Sequence, residues 1–380
     1  MRRLVALDLP GGEAFVAAVR RAHDQGDAVF PLDRRLPDAA RRRLLEAMAP
    51  SVLLDDAGEH LLSGGVPTEE GDAFVVATSG TTGNPKGVVL THEAVAASAV
   101  ATSQRLAVQP DRDRWLACLP LAHVGGLSVI ARALHTGTPL EVHDGFSPDA
   151  VLDAAARGAT LVSLVATALY RLGDAAAAFR QIVLGGSAPP STLPANATCT
   201  YGLTETGSGV VYDGLPLEGV EVAIGEGGEI ALRGPMLLRA YRDGTDPKDA
   251  AGWLETHDAG AIDDSGRLEV FGRVDECVIS GGEKIWPLAV EAVLGTHQGV
   301  REAAVAGLPD AEWGARLVAV VVPAPGATVG LEELRELVRA ELGAIYAPKQ
   351  LYVVSQLPRT SIGKLARAEI AKLADEAARN

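Results

Sequence analysis

The sequence predicts an α/β protein: a large N-terminal domain of mostly parallel sheets flanked by helices, a small β-barrel-like subdomain, and a small α+β C-terminal domain. Three observations carry this expectation. The chain has 380 residues, too many for one ordinary hydrophobic core. Between residues 72 and 184, short apolar strand-like runs alternate with helical stretches, the pattern of a largely parallel sheet with helices on its faces. Beyond about residue 218 the texture changes to short strands parted by Gly and Asp turns, and from Asp275 to a compact α+β pattern.

In order along the chain, 13–25 and 38–49 read as amphipathic helices, with short strands at 28–30 and 52–54 punctuated by Pro31 and Pro50. Asp72-Ala73-Phe74-Val75-Val76-Ala77 reads as a buried strand. Gly87-Val88-Val89-Leu90 is extended, and Thr91 caps a helix that starts at His92. Strands follow at 115–119, 139–143, 160–164 and 181–184, separated by helices at 92–106, 126–136, 148–157 and 167–174. Further strands fall at 220–224, 228–233 and 267–271. The last unit reads as a helix at 287–294, strands at 301–307 and 316–322, a helix at 331–342, a strand at 351–354 and a final helix from about 365. Domains 1–274 and 275–380 meet at a candidate hinge in Gly272-Arg273-Val274-Asp275-Glu276.

Composition excludes several function classes. A net charge of −15 argues against a nucleic-acid partner, because phosphate-backbone binders need clustered Lys and Arg. Cys118, Cys199 and Cys277 are isolated and fit neither a disulfide framework nor a zinc site. Asp8 and Pro10 cut the apolar N-terminal run short of a signal-peptide core, and no stretch reaches membrane-spanning length without charges. The chain reads as cytoplasmic, with no membrane partner.

The most informative segment is Thr78-Ser79-Gly80-Thr81-Thr82-Gly83-Asn84-Pro85-Lys86-Gly87. Glycines allow close backbone approach, hydroxyls and amides offer donors to phosphate oxygens, and Lys86 adds a point charge. Pro85 and Gly87 around the lysine depart from a Walker A loop. A polar surface turn is the plain alternative. Four hydroxyl residues, three glycines and a lysine leaving a buried strand favour nucleotide binding.

This loop resembles the signature loop of the adenylate-forming superfamily, which includes acyl-CoA synthetases, peptide-synthetase adenylation domains and luciferases. Further segments similar to that family's motifs follow in order. Pro120-Leu121-Ala122-His123-Val124-Gly125-Gly126-Leu127-Ser128 resembles the acyl-pocket motif, which implies that His123 lies beside the carboxylate and that Gly126 and Ser128 line the pocket. Ala122 stands where an aromatic is common. Gly185-Gly186-Ser187 is similar to the segment lining adenine. Thr200-Tyr201-Gly202-Leu203-Thr204-Glu205-Thr206 resembles the second signature motif, with Tyr201 and Gly202 against adenine, Thr204 on the α-phosphate and Glu205 as Mg²⁺ ligand. In Gly252-Trp253-Leu254-Glu255-Thr256-His257-Asp258-Ala259-Gly260, Asp258 would accept both ribose hydroxyls, and His257 stands where the family more often has Gly. Arg273 would reach the ribose and Asp275 would absorb a rotation of the C-terminal domain. Ser280-Gly281-Gly282-Glu283-Lys284-Ile285 resembles the loop presented in thioester formation. Pro358-Arg359-Thr360-Ser361-Ile362-Gly363-Lys364 matches the C-terminal motif whose lysine contacts the acyl carboxylate and α-phosphate.

The resemblance implies a mobile C-terminal lid and a two-step reaction using ATP, Mg²⁺, coenzyme A and a small carboxylate. The run from Pro120 to Leu134, with Arg132, and the run from Thr200 to Ser208 look like o-succinylbenzoate–CoA ligases of menaquinone biosynthesis. Ligases for malonate-type, aryl or medium-chain acids, and an enzyme loading a carrier protein, share these motifs. A nucleotide-binding regulatory protein is a reading of another class, against which Lys364, Glu205 and Asp258 stand. A homodimer is a possible assembly.

Overall fold

The computed structural model describes residues 2–78, 85–186, 192–359 and 365–379. The chain opens with β1 (Leu4–Leu7), α1 (Glu13–Asp24), β2 (Ala28–Pro31), α2 (Asp38–Met48), β3 (Val52–Asp55), β4 (Gly58–Leu61), β5 (Asp72–Thr78) and β6 (Lys86–Thr91). β1 runs parallel to β2 and β3, and β2 to β5, whereas β4 and β6 pair antiparallel with β3 and β5. This sheet is therefore mixed rather than mostly parallel. Antiparallel neighbours need only short connections, and both antiparallel strands arise from hairpins. β1 was not read as a strand in the sequence, where its apolar run was judged only as too short for a signal-peptide core; all four residues are buried.

α3 (His92–Arg105) follows at once, with Thr91 Oγ1 accepting from the Ala94 backbone N–H at 3.1 Å, the cap expected from sequence. Next come β7 (Trp115–Ala117), α4 (Val124–Thr136), β8 (Leu140–Val142), α5 (Pro148–Ala156), β9 (Leu161–Leu164), α6 (Ala166–Leu172), β10 (Gln181–Leu184) and β11 (Ala197–Tyr201). These five strands are all parallel, in the order β11-β10-β9-β7-β8, as the strand–helix alternation predicts. A hairpin, β12 (Val211–Tyr212) and β13 (Leu215–Pro216), extends the sheet antiparallel. α3 packs on the first sheet, α4 on the second, and the two helices pack on each other. Phe74, Leu90, Trp115, Leu127 and Ile130 share this continuous core.

β14 (Glu221–Ile224), β15 (Glu229–Arg233), β16 (Ala240–Tyr241), β17 (Leu254–Ile262) and β18 (Leu268–Arg273) form the third part. Strands β14-β15-β17-β18 make an antiparallel sheet whose outer strands do not pair with each other, so it is open rather than a closed barrel. β16 returns to the first sheet and pairs with β6.

A 3₁₀ turn at Val274–Glu276 leads to the small C-terminal domain: β19 (Val278–Ser280), β20 (Glu283–Ile285), α7 (Pro287–Leu294), β21 (Val300–Asp310), β22 (Gly314–Pro323), α8 (Leu331–Glu341), β23 (Gln350–Val353) and α9 (Arg367–Arg379). Successive side chains of β22 point to opposite faces. Leu317, Ala319 and Val321 pack against α7 and α8, while Val318, Val320 and Val322 pack against Ile370 and Ala374 of α9. Among the described residues, no helix is long and apolar enough to cross a membrane.

Candidate active site

The Gly/Thr-rich segment joins β5 to β6, whose register pairs Thr78 with Lys86 at its base. Ser79, Gly80, Thr81, Thr82 and Gly83 lie outside the described residues. The Lys86 ammonium sits 4.8 Å from the centroid of the Tyr241 ring. The Tyr241 hydroxyl donates to Glu205 Oε1 at 3.0 Å. Glu205 belongs to a 3₁₀ turn, Thr204–Thr206, directly after β11 and Gly202-Leu203. Its own carbonyl accepts from the Leu238 backbone N–H at 2.7 Å, which ties this turn to the chain entering β16. Lys86 and Glu205, distant in sequence, are thus brought to one phenol ring. Sequence reasoning missed Tyr241, because a two-residue strand carries no readable periodicity.

A second group gathers Tyr201, Asp258 and Arg273. Register places Asp258 opposite Arg273 on β17 and β18, and Arg273 Nη1 lies 3.5 Å from Asp258 Oδ1. The Tyr201 hydroxyl donates to Asp258 Oδ2 at 2.8 Å. Burial and the Asp258 carboxylate push the Tyr201 phenol well above its ordinary value, so it stays a proton donor. Gly202 cannot carry a side chain, since a Cβ there would meet the Ser208 carbonyl oxygen at 2.3 Å. Gly185 and Gly186 leave β10 at the carboxyl edge of the parallel strands, where ligands of such sheets collect. Ser187 lies outside the described residues. His257 sits at φ 58°, a left-handed conformation that glycine adopts without penalty.

The third group surrounds His123, the residue before α4. Its Nε2 lies 3.1 Å from Arg35 Nη2 and 3.5 Å from Asp33 Oδ2. Burial raises the Asp33 carboxyl, but hydrogen bonds from Arg35 and His123 outweigh it and hold the group well below the usual carboxylate range. Neither Asp33 nor Arg35 was foreseen, for nothing in the sequence links them to a histidine so far along the chain. Gly126 proves to be a packing requirement: its Cβ would meet the Leu119 carbonyl oxygen at 2.4 Å.

Beyond His123 a narrow pocket opens between α3 and α4, with Val95, Val124, Leu127, Ser128, Arg132 and Met236 in its wall. Arg132 is only 2% exposed. One guanidinium nitrogen donates to Ser208 Oγ at 3.1 Å, and the group lies 4.8 Å over the Trp115 ring. Among the described residues, its Nε and Nη1 have no hydrogen-bond partner and no carboxylate pairs with it. A buried cation without a counterion is costly to keep.

In the C-terminal domain, Gly281 and Gly282 form the two-residue turn between β19 and β20, at φ 59° and 87°, as a tight hairpin turn of this length demands. Lys284 Nζ reaches the Gly227 carbonyl at 3.4 Å, on the antiparallel subdomain, and is not gathered with the three groups above. Asp275 lies 3.4 Å from the Arg273 guanidinium. Lys364 lies outside the described residues. Three residues on, Arg367 donates to Glu291 at 2.9 Å and lies 3.3 Å from Glu276, so α9 is clamped to the 3₁₀ turn and to α7.

Residues 63–242 match the family described as AMP-binding enzyme, and residues 289–364 match the AMP-binding enzyme C-terminal domain. A "Probable 2-succinylbenzoate–CoA ligase" of Mycobacterium tuberculosis is 39% identical over 361 residues, covering 88% of this chain and 94% of that protein. The o-succinylbenzoate CoA synthetase of Bacillus subtilis, solved with the acyl-adenylate intermediate OSB-AMP, superposes with a TM-score of 0.84 at 29% identity, over 97% of this chain and 88% of that one. The same enzyme solved with ATP and magnesium ion gives a TM-score of 0.83 at 29% identity, over 98% and 90% of the two chains. Carrying both family domains in order, and aligned to such a relative along most of its length, this chain belongs to the AMP-binding, adenylate-forming enzyme family.

Proposed function

We propose that the chain activates o-succinylbenzoate with ATP and passes the acyl group to coenzyme A. The observation that carries the substrate is Arg132. Only one carboxylate of this dicarboxylic acid reacts; the other stays an anion and needs a cation where it is buried. Arg132 lines a largely apolar pocket that suits an arene ring, and two of its buried nitrogens have no partner among the described residues. Those walls favour an aryl dicarboxylate over a malonate-type acid.

In the first step a carboxylate oxygen bonds to the α-phosphorus as pyrophosphate leaves. No general base is required, because the acid is already ionised at neutral pH. Lys86 and the loop hold the leaving pyrophosphate, Thr204 the α-phosphate, and His123 the reacting carboxylate. Tyr201, with Gly185, Gly186, Ser187 and Gly202, faces adenine, while Asp258 and Arg273 take the ribose. Glu205 suits Mg²⁺: Oε1 takes the Tyr241 hydroxyl, while Oε2 accepts no hydrogen bond among the described residues. That leaves a hard oxygen for an ion drawing its other ligands from water and phosphate. Bound there, the ion would neutralise phosphate charge.

Lys364 bridges the acyl carboxylate and the α-phosphate, which brings like-charged reactants together. For the second step the domain from residue 275 turns about Asp275, withdrawing Lys364 and presenting Gly281, Gly282 and Lys284 to the thiol. The thiolate sulfur then bonds to the acyl carbon and AMP leaves. A cytoplasmic enzyme is the reading that ATP and coenzyme A as co-substrates support. ATP–pyrophosphate exchange over a panel of acids tests the reading. It expects o-succinylbenzoate to drive exchange and benzoate to do so weakly; equal exchange with both would reject the role of Arg132.

A further inference from the structure

We infer that Tyr241 is the positioning residue of the phosphate end, holding Glu205 and Lys86 in place and apart from each other. The inference rests on the reading above, in which Glu205 ligates Mg²⁺ and Lys86 holds phosphate.

Tyr241 touches both groups. Its hydroxyl donates to Glu205 Oε1 at 3.0 Å, and its ring faces Lys86 Nζ at 4.8 Å. A carboxylate held by one oxygen has a fixed direction for the other, which is what a metal ligand needs. The phenol can serve only as the donor here. A carboxylate oxygen can only accept, so the hydrogen bond to Glu205 uses the phenol's own proton.

The ring also has a second consequence. Glu205 and Lys86 carry opposite charges and flank one side chain, yet they form no ion pair with each other. Were the ring absent, the ammonium could fold onto the carboxylate, and a nucleotide would have to break that pair before binding. With it present, each charge is held by a contact weaker than an ion pair and stays open to its ligand.

The backbone around Tyr241 is fastened for such a role. β16 pairs Tyr241 with Val88, two residues beyond Lys86. Arg242 donates to the carbonyls of Met48, Pro67 and Val66, and Arg239 pairs with Asp72 at 2.9 Å. The Tyr241 N–H donates to the Thr245 carbonyl at 2.8 Å, closing the turn that follows. The position is thus pinned on both sides, and the side chain is the part left to act.

The test measures Mn²⁺ binding by electron paramagnetic resonance on the full chain with a non-hydrolysable ATP analogue, and metal-free analogue binding by calorimetry. Tyr241→Phe keeps the ring and loses the hydroxyl. Mn²⁺ affinity should fall about tenfold, while metal-free analogue affinity, which depends on Lys86, stays within twofold. Tyr241→Leu loses both contacts, and both affinities should fall. A purely structural role would move both affinities together in Tyr241→Phe and lower its melting temperature. Glu205→Gln separates the two layers. If Glu205→Gln weakens Mn²⁺ binding and Tyr241→Phe leaves it within twofold of wild type, the inference is overturned and the ligand assignment stands. If Glu205→Gln leaves Mn²⁺ binding intact, the ligand assignment itself fails, and the inference with it.

Discussion

Replacing Arg132 by Met should cost activity without costing stability. In the free protein the guanidinium has one hydrogen bond, to Ser208, and one aromatic contact, to Trp115. Losing these removes about 1–3 kcal/mol of favourable interaction. Against that, two buried nitrogens without partners, each left at a cost of about 1–3 kcal/mol, disappear with them. Methionine suits the apolar wall but is shorter, so the small void it leaves offsets part of this gain, and no carboxylate among the described residues is orphaned by the change. The net effect on unfolding is therefore near zero or stabilising, unlike a core truncation at about 2–5 kcal/mol. With o-succinylbenzoate bound, the same change leaves a buried carboxylate unpaired, a loss of about 2–5 kcal/mol. That corresponds to a fall of about 30- to 5,000-fold in kcat/KM for the acid, with KM for ATP unchanged. Urea denaturation and steady-state kinetics on one preparation check both halves. A variant that unfolds more easily by about 3 kcal/mol while its folded fraction keeps the normal KM for o-succinylbenzoate would make Arg132 a structural residue and refute the reasoning.

Three further outcomes are expected. His257→Gly relieves a left-handed backbone at φ 58° and should stabilise the protein by about 0.5–1 kcal/mol, read from the denaturation midpoint. His23 is pushed down to about 4 by burial and by His92, while its unfolded value is near 6.5. The unfolded chain therefore binds the extra proton, so stability is full above about pH 6.5 and declines by about 3 kcal/mol towards pH 4. His23→Gln, which retains a donor for the Ala73 carbonyl, should flatten that decline in denaturation curves at pH 7 and pH 5. Arg367→Met leaves the Glu291 and Glu276 carboxylates partly buried without their cation and should destabilise the C-terminal domain by about 3–5 kcal/mol, seen as faster hydrogen exchange in β21 and α7 than in β10.

Motif residues were legible because their chemistry is local: a buried strand running into a Gly/Thr loop, a threonine cap, a Gly-Gly turn. The parallel sheet was legible because each strand was followed by a helix long enough to show its period. What stayed hidden depended on tertiary pairing. β12, β13 and β16 have two residues each, too few for a pattern. β17 slips its register at Ala259/Gly260 and carries polar residues on its outer face, so no strand was read there. Asp33, Arg35 and Tyr241 reach the site only through contacts across sheets. Arg132 was visible as part of a motif run, but the lack of a counterion is a property of the folded surroundings.

The most direct test of the account is product formation from o-succinylbenzoate, ATP and coenzyme A, followed by mass spectrometry. The account predicts o-succinylbenzoyl-CoA with AMP and pyrophosphate in equal amounts, and no product with Lys364→Ala unless preformed acyl-adenylate is supplied. Failure to form the thioester, ADP in place of AMP, or an unchanged rate in Lys364→Ala would contradict it.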